Sequence, residues 1–202
     1  MAVFLLVAGC ATSAPNRSAR AASSLEVLQQ NSTKARTQID EVTSSLDTLL
    51  SATPEKLREA YDRYDRNVKN MNEYADAIKE NDVDLKKNGE TYLQAWQKDA
   101  SSVSDPELRA IAEQRQSEMT ERTASMRSTV TAAAESFAAF LRDINDIRKV
   151  LGNDLTPTGQ TSVRNTALVQ SVQSEASRVK AALEDAERAV ANVRSQITPT
   201  AQ

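Results

Sequence analysis

The chain has 202 residues, enough for one substantial domain or two small ones. With 26% charged residues, 4% aromatics, 4 glycines and 5 prolines, it favours long helices carrying a narrow apolar stripe. A net charge of −3 with interspersed signs gives no basic patch and excludes nucleic acid as a partner. The chain has no histidine and one cysteine, so imidazole and body thiolate chemistry are excluded, and no catalytic residue, cofactor or metal site is expected. A serine nucleophile would need a lysine base in a preorganised pocket, which glycine-poor helical seams do not supply.

Met1 to Gly9 reads Met-Ala-Val-Phe-Leu-Leu-Val-Ala-Gly and leads into Cys10. The small residues of Val7-Ala8-Gly9 before Cys10 resemble a bacterial lipobox, whose cysteine is converted to a diacylglyceryl thioether. Residues 1–9 are then a lipoprotein signal peptide. No Lys or Arg precedes Cys10, so the peptide reads as truncated at its start. The plainer alternative is a frayed apolar N-terminus with an ordinary cysteine. Two or three acyl chains, at roughly 0.8 kcal/mol per buried methylene, would hold Cys10 in a membrane permanently. Nothing after Gly9 approaches the roughly 20 apolar residues of a membrane span. Ala11 stands where the inner-membrane retention signal of Gram-negative lipoproteins places Asp, and this resemblance points to the outer membrane.

Residues 11–23 are small and polar and read as a flexible spacer. From Cys10 to Ser24 such a spacer extends to roughly 45–50 Å. Helix one is expected from Ser24 to Ser51, with a seam of Leu25, Leu28, Ser32, Ala35, Ile39, Val42, Leu46 and Leu49. Thr53-Pro54 ends it and opens helix two, whose seam runs from Leu57 through Tyr61, Tyr64, Val68, Met71, Ala75, Ile78, Asp82, Leu85, Gly89 and Tyr92 to Trp96. Ser104 and Glu107 form a capping box for helix three, with a seam through Leu108, Ala112, Arg115, Met119, Arg122, Met126, Thr129, Ala133, Phe137, Phe140, Ile144, Ile147 and Leu151. The step from Ala133 to Phe137 is a stutter, and Gly152 is the expected C-terminal cap. Residues 152–160 carry turn chemistry, and helix four follows to Ile197, with 198–202 a disordered tail.

A turn near residue 102 makes facing seam positions of helices two and three total about 204 over many pairs. The chain is therefore expected to be all-α: an elongated antiparallel four-helix bundle or coiled coil over 24–197 with a long central hairpin. Helix one should cover only the first half of helix two, so the bundle should thin to two or three helices towards the turn.

The register sets Asp82 opposite Arg122, with Arg115 near Gly89. A polar seam pair usually fixes register at a cost in stability. A ligand site, or a break in helix two near Asn81 that lets both side chains reach water, are the alternatives. Tyr61, Tyr64, Tyr74, Tyr92 and Trp96 all fall on helix two, as core or as the wall of a glycan or lipid groove. The acid pairs Asp62/Asp65 and Asp143/Asp146 read as solvated helix faces, because a hard cation wants six or more oxygens in a shaped loop.

The lipobox, Tyr61-Asp-Arg-Tyr-Asp65, the acidic stretch leading to Trp96, Phe140-Leu-Arg-Asp143 and Leu151-Gly-Asn-Asp-Leu155 resemble a bacterial family of helical periplasmic lipoproteins defined only as a domain of unknown function. The likeness covers about residues 25–197. It implies a coiled-coil-rich envelope protein and no catalytic or binding residues. The expected function is a non-enzymatic lipoprotein of the cell envelope, facing the periplasm, that acts as a tethered scaffold, spacer or adaptor. Its partners would be the membrane, through the lipid, and a protein or a second copy. The alternative is a module binding a ligand or lipid between its helices.

Overall fold

A computed structural model describes residues 14–198, with side chains from residue 16 onward. Its elements are α1 (Ala14–Ser51), a 3-10 turn (Pro54–Lys56), α2 (Leu57–Ser101), α3 (Pro106–Asn153), α4 (Pro157–Arg164) and α5 (Ala167–Ile197). The fold is an all-α antiparallel bundle of four long helices. In it α1 packs between α2 and α5, and α3 packs between the same two, so α1 and α3 lie across a diagonal. At 45 residues, α2 is roughly 68 Å long.

The seams expected for the first and last long helices are the buried ones. Leu25, Leu28, Ser32, Ala35, Ile39, Val42, Leu46 and Leu49 of α1 are buried, as are Val172 through Ile197 at heptad spacing on α5. Helix α1 nevertheless begins ten residues before the expected Ser24. The stretch read as a spacer is helical from Ala14, because its alanines and arginines are strong helix formers and Ala21 finds a place in the core. Arg17 reaches Asp99 at 2.9 Å, so α1 runs the full length of α2 rather than half of it. Polar side chains tie the two together: Asn88 Nδ2 donates to Ser24 Oγ (2.8 Å), Asn31 Nδ2 to Asn81 Oδ1 (2.9 Å) and Gln38 Nε2 to the Asn67 carbonyl (3.0 Å).

The heptad on α3 needs no stutter. A line of buried or half-buried residues runs through Ala112, Gln116, Met119, Thr123, Met126, Val130, Ala133 and Phe137, in alternating steps of four and three. Arg115, Arg122 and Thr129 each sit one residue off this line. The hairpin turns at Ser102–Asp105. The cap of α3 is Asp105, not Ser104: its Oδ1 accepts from Glu107 N (3.0 Å) and Leu108 N (2.9 Å). Pro106 at the first helical position fixes the cap on the residue before it, and a carboxylate suits the positive helix end. The ties Asp65–Arg148, Asn72–Asn145 and Glu90–Arg127 total 213 to 217, not 204. The tyrosine bonds Tyr61–Arg148 and Tyr64–Ile144 total 209 and 208, so the hairpin register lies several residues beyond the expected one.

Helices α1 and α5 also pair, which the sequence reading did not anticipate. Glu26–Arg194 (2.9 Å), Thr33–Glu187 (3.3 Å), Arg36–Glu184, Asp40–Lys180 (2.6 Å) and Asp47–Gln173 (3.0 Å) all total 220, so the register does not slip over their whole length. Exposed pairs of this kind contribute roughly 0–1 kcal/mol each. Their value is alignment.

Residues 157–160, read as the end of a turn, and 161–164, read as the start of the last helix, together form the separate short helix α4. Thr156 caps it by accepting from Gly159 N (3.1 Å), and Thr166 restarts the chain as α5. Gly152 is not a cap but lies inside α3, where a Cβ would collide with the Tyr61 hydroxyl. Helix α4 closes the base. Buried Gln160 donates to the carbonyls of Leu49 (2.7 Å) and Ala52 (3.0 Å), and Arg164 donates to that of Leu50. Of these acceptors only the Leu49 carbonyl has another donor, Ala52 N at 3.3 Å, so α4 serves the end of α1. Gln160→Ala is expected to lower stability by about 2 kcal/mol, since a buried carbonyl left unpaired costs roughly 1–3 kcal/mol. Thermal melts followed by circular dichroism check this, and an unchanged midpoint would mean that water replaces the amide.

Candidate functional site

Cys10 lies outside the described residues. The helix that follows begins four residues later, and the Arg17–Asp99 bond sets its start beside the α2–α3 turn. Of the thirteen residues expected as spacer, 14–23 are helical, and residues 11–13 lie outside the described residues.

Asp82 and Arg122 do not form a buried pair. Both are exposed, and among the described residues no ion pair joins them. Helix α2 is unbroken at Asn81, so the third alternative fails in its cause while its outcome, two solvated side chains, holds. The physical reason is the one-residue phase shift on α3: Thr123 takes the seam position, and Arg122 turns outward. Arg115 is exposed for the same reason. Asp82 instead rims an open groove of about 350 Å³ between α2 and α3, floored by Ala75, Ile78, Val130, Phe137 and Leu141. Asp82→Ala and Arg122→Ala are each expected to change stability by less than about 0.5 kcal/mol in urea unfolding, as for other exposed sites. A loss of several kcal/mol would restore the buried pair.

The aromatics of α2 belong to the core. Tyr64 is fully buried and its hydroxyl donates to the Ile144 carbonyl at 2.9 Å, while Tyr61 donates to that of Arg148 at 3.2 Å. Burial pushes the Tyr64 hydroxyl far above its ordinary value, so it stays a donor. Tyr92 and Trp96 are half-buried, with ring centroids 5.7 Å apart. At the base, the rings of buried Tyr64 and half-buried Tyr61 occupy the interior. The open space at that end is a polar groove of about 400 Å³ rimmed by Thr48, Ser51, Lys56, Arg63 and Arg66.

The acid pairs divide. Asp62 is exposed, and so is Asp146, which meets Lys149 at 3.5 Å. Asp65 is half-buried between Lys69 (2.7 Å) and Arg148 (3.0 Å). Burial alone would raise its carboxyl, but the hydrogen bonds from Lys69 and Arg148 outweigh burial and hold it below the usual range. Asp143, read as solvated, is 6% exposed at the α3–α5 interface, beside Arg142 (2.9 Å) and facing Glu175. Nothing in the seam pattern pointed to it, because a heptad flank gives no sign of what the neighbouring helix sets against it. Among the described residues no group of three or more acidic, Cys or His side chains could hold a metal ion.

Burial raises the Glu175 carboxyl, and the Asp143 charge raises it further. Its Oε2 is buried without a hydrogen-bond partner. Two facing carboxylates cannot donate to each other unless one keeps its proton. The sign follows from linkage: protonated Glu175 suits the fold, so its contribution is fully present below the ordinary value of 4.5 and is lost as pH rises through the raised value. Glu175→Gln, neutral and able to donate, is expected to raise the melting temperature at pH 7. It should also flatten the wild-type gain between about pH 7 and 5, a window above the range in which Asp65 titrates. Parallel pH slopes for the two proteins would show that the carboxyls do not interact.

No described helix is long and apolar enough to cross a membrane. Comparison with family models, curated proteins and solved structures found no match. The likeness to helical lipoproteins therefore rests on the residues quoted for it.

Proposed function

We propose that the chain is a lipoprotein of the bacterial envelope, acylated at Cys10, whose bundle serves without catalysis as a tethered strut: a spacer, scaffold or adaptor in the periplasm. The observation that carries this reading is the spacing of the anchor from the fold. Cys10 follows Val7-Ala8-Gly9 and precedes by four residues a helix that is packed along the whole of α2. At full extension four residues reach roughly 14 Å. A lipid on Cys10 would hold one end of a rod at the membrane and leave the α4 base to face a protein partner or a second copy. A continuous core cluster from Leu151 at the base to Leu25 and Val193 near the turn supports a rod. Ala11 favours the outer membrane.

A second reading keeps the anchor and adds a ligand. The apolar floor of the α2–α3 groove, about 350 Å³, suits an acyl chain or similar slender molecule laid along the hairpin.

The anchor is tested first. Cys10→Ser, expressed behind a complete signal peptide, should lose palmitate labelling and move from the membrane pellet to the soluble fraction. A variant that still labels and pellets would end the lipoprotein reading.

A further inference from the structure

We infer that the α2–α3 end of the bundle is a docking surface for the phospholipid bilayer itself, with Leu108 and Ile111 entering the boundary between headgroups and acyl chains. The inference rests on acylation at Cys10 and goes beyond it, since a lipid anchor alone does not require the protein to touch the membrane.

Leu108 lies eleven residues, three helical turns, before Met119, and Trp96 lies eleven after Leu85. Both therefore continue inward-facing lines whose deeper members are buried. Leu108 is uncovered and Trp96 only half-covered, because the described part of α5 ends below them. Ile197 lines one apolar pocket with Leu25, Leu85 and Met119, and Thr198 turns to extended backbone. Beyond that level, among the described residues, three helices remain where four pack below. Leu108 is left 60% exposed and Ile111 50% exposed, one turn apart on α3. Scattered apolar residues mean little, but an adjacent pair at an uncovered end is a patch.

Three observations name the occupant. The Arg17–Asp99 bond sets the start of α1 at this end, and Cys10 is at most about 14 Å of chain from Ala14, so the acylated residue cannot leave the neighbourhood of the patch. The turn between the helices has its polar backbone engaged, by Asp105 on the α3 amides and by Arg109 Nε on the Val103 carbonyl (2.7 Å), as contact with a membrane interface demands. Lys98 and Arg109 are offset by Asp105 and Glu107, so a zwitterionic surface serves as well as an anionic one.

Trp96 is the only tryptophan and Cys10 the only cysteine, which gives a direct test. The chain from Cys10 onward retains every described residue. It would be coupled through Cys10 to a maleimide phospholipid in phosphatidylcholine vesicles. Trp96 fluorescence should shift to the blue and fall about twofold when the vesicles contain phosphatidylcholine brominated near the top of its acyl chains, as for an interfacial side chain. The Leu108→Asp, Ile111→Asp double variant, altered only at exposed positions and checked for an unchanged melting temperature, should lose both effects. Coupled wild-type protein with emission and quenching equal to the uncoupled chain would overturn the inference. So would a blue shift that grows with protein density without quenching by bromine, which is the signature of two copies meeting end to end. Chemical coupling makes this result independent of what the cell does to Cys10, so failure of palmitate labelling and failure of docking are separate outcomes.

Discussion

No helix of this protein can bury itself. Each long helix carries a stripe one or two residues wide, built of Ala, Val, Leu and Ile with few aromatics, and an isolated helix with so little to bury is marginal in water. Stability comes only when four such stripes meet on one axis, and small residues such as Ala35, Ala133, Ala176 and Ala186 let the backbones approach. The demand for a common axis explains the constant register between α1 and α5. It also explains why α1 extends to Ala14: beyond Leu25 the inward faces of α2 and α3 still need a neighbour, and α1 supplies it where α5 does not.

Apolar seams alone do not fix which residue faces which. That work falls to the flanks, where Asn31 meets Asn81, Asn72 exchanges hydrogen bonds with Asn145, and Asp65 takes both Lys69 and Arg148. Half-buried amide pairs add little stability but penalise a slipped register heavily, since a slip leaves both amides unmet. The Asp143–Glu175 contact runs the other way, as a local conflict tolerated within a favourable interface.

The fold class was legible because heptad spacing is a direct image of one-sided burial. The eight seam residues of α1 and those of α5 could be read one by one. The α3 phase was not, because Thr123 and Gln116 are as polar as the Arg122 and Arg115 beside them and an apolarity pattern cannot choose between such neighbours. Asp82 and Arg122 followed from that choice and fell with it. The first turns of α1 were missed since Ala, Ser and Arg form a helix through propensity without marking a face. Helix α4 was missed because Thr-Pro-Thr-Gly starts a capped helix as readily as a turn. Cys10 is a different case: the proposed acylation is covalent chemistry, which packing does not record.

The closure of the base also has a consequence in time. The carbonyls of Leu50 and Ala52, and the second donor to that of Leu49, depend on Arg164 and Gln160, more than a hundred residues further along the chain. A ribosome or translocon delivers residues in order, at roughly 5–20 per second. For several seconds after α1 emerges, its final turn lacks these side-chain donors, and α1, α2 and α3 can associate only as an open-ended three-helix assembly. The bundle becomes complete when its last quarter arrives, so the slowest contacts to form are those that lock the base.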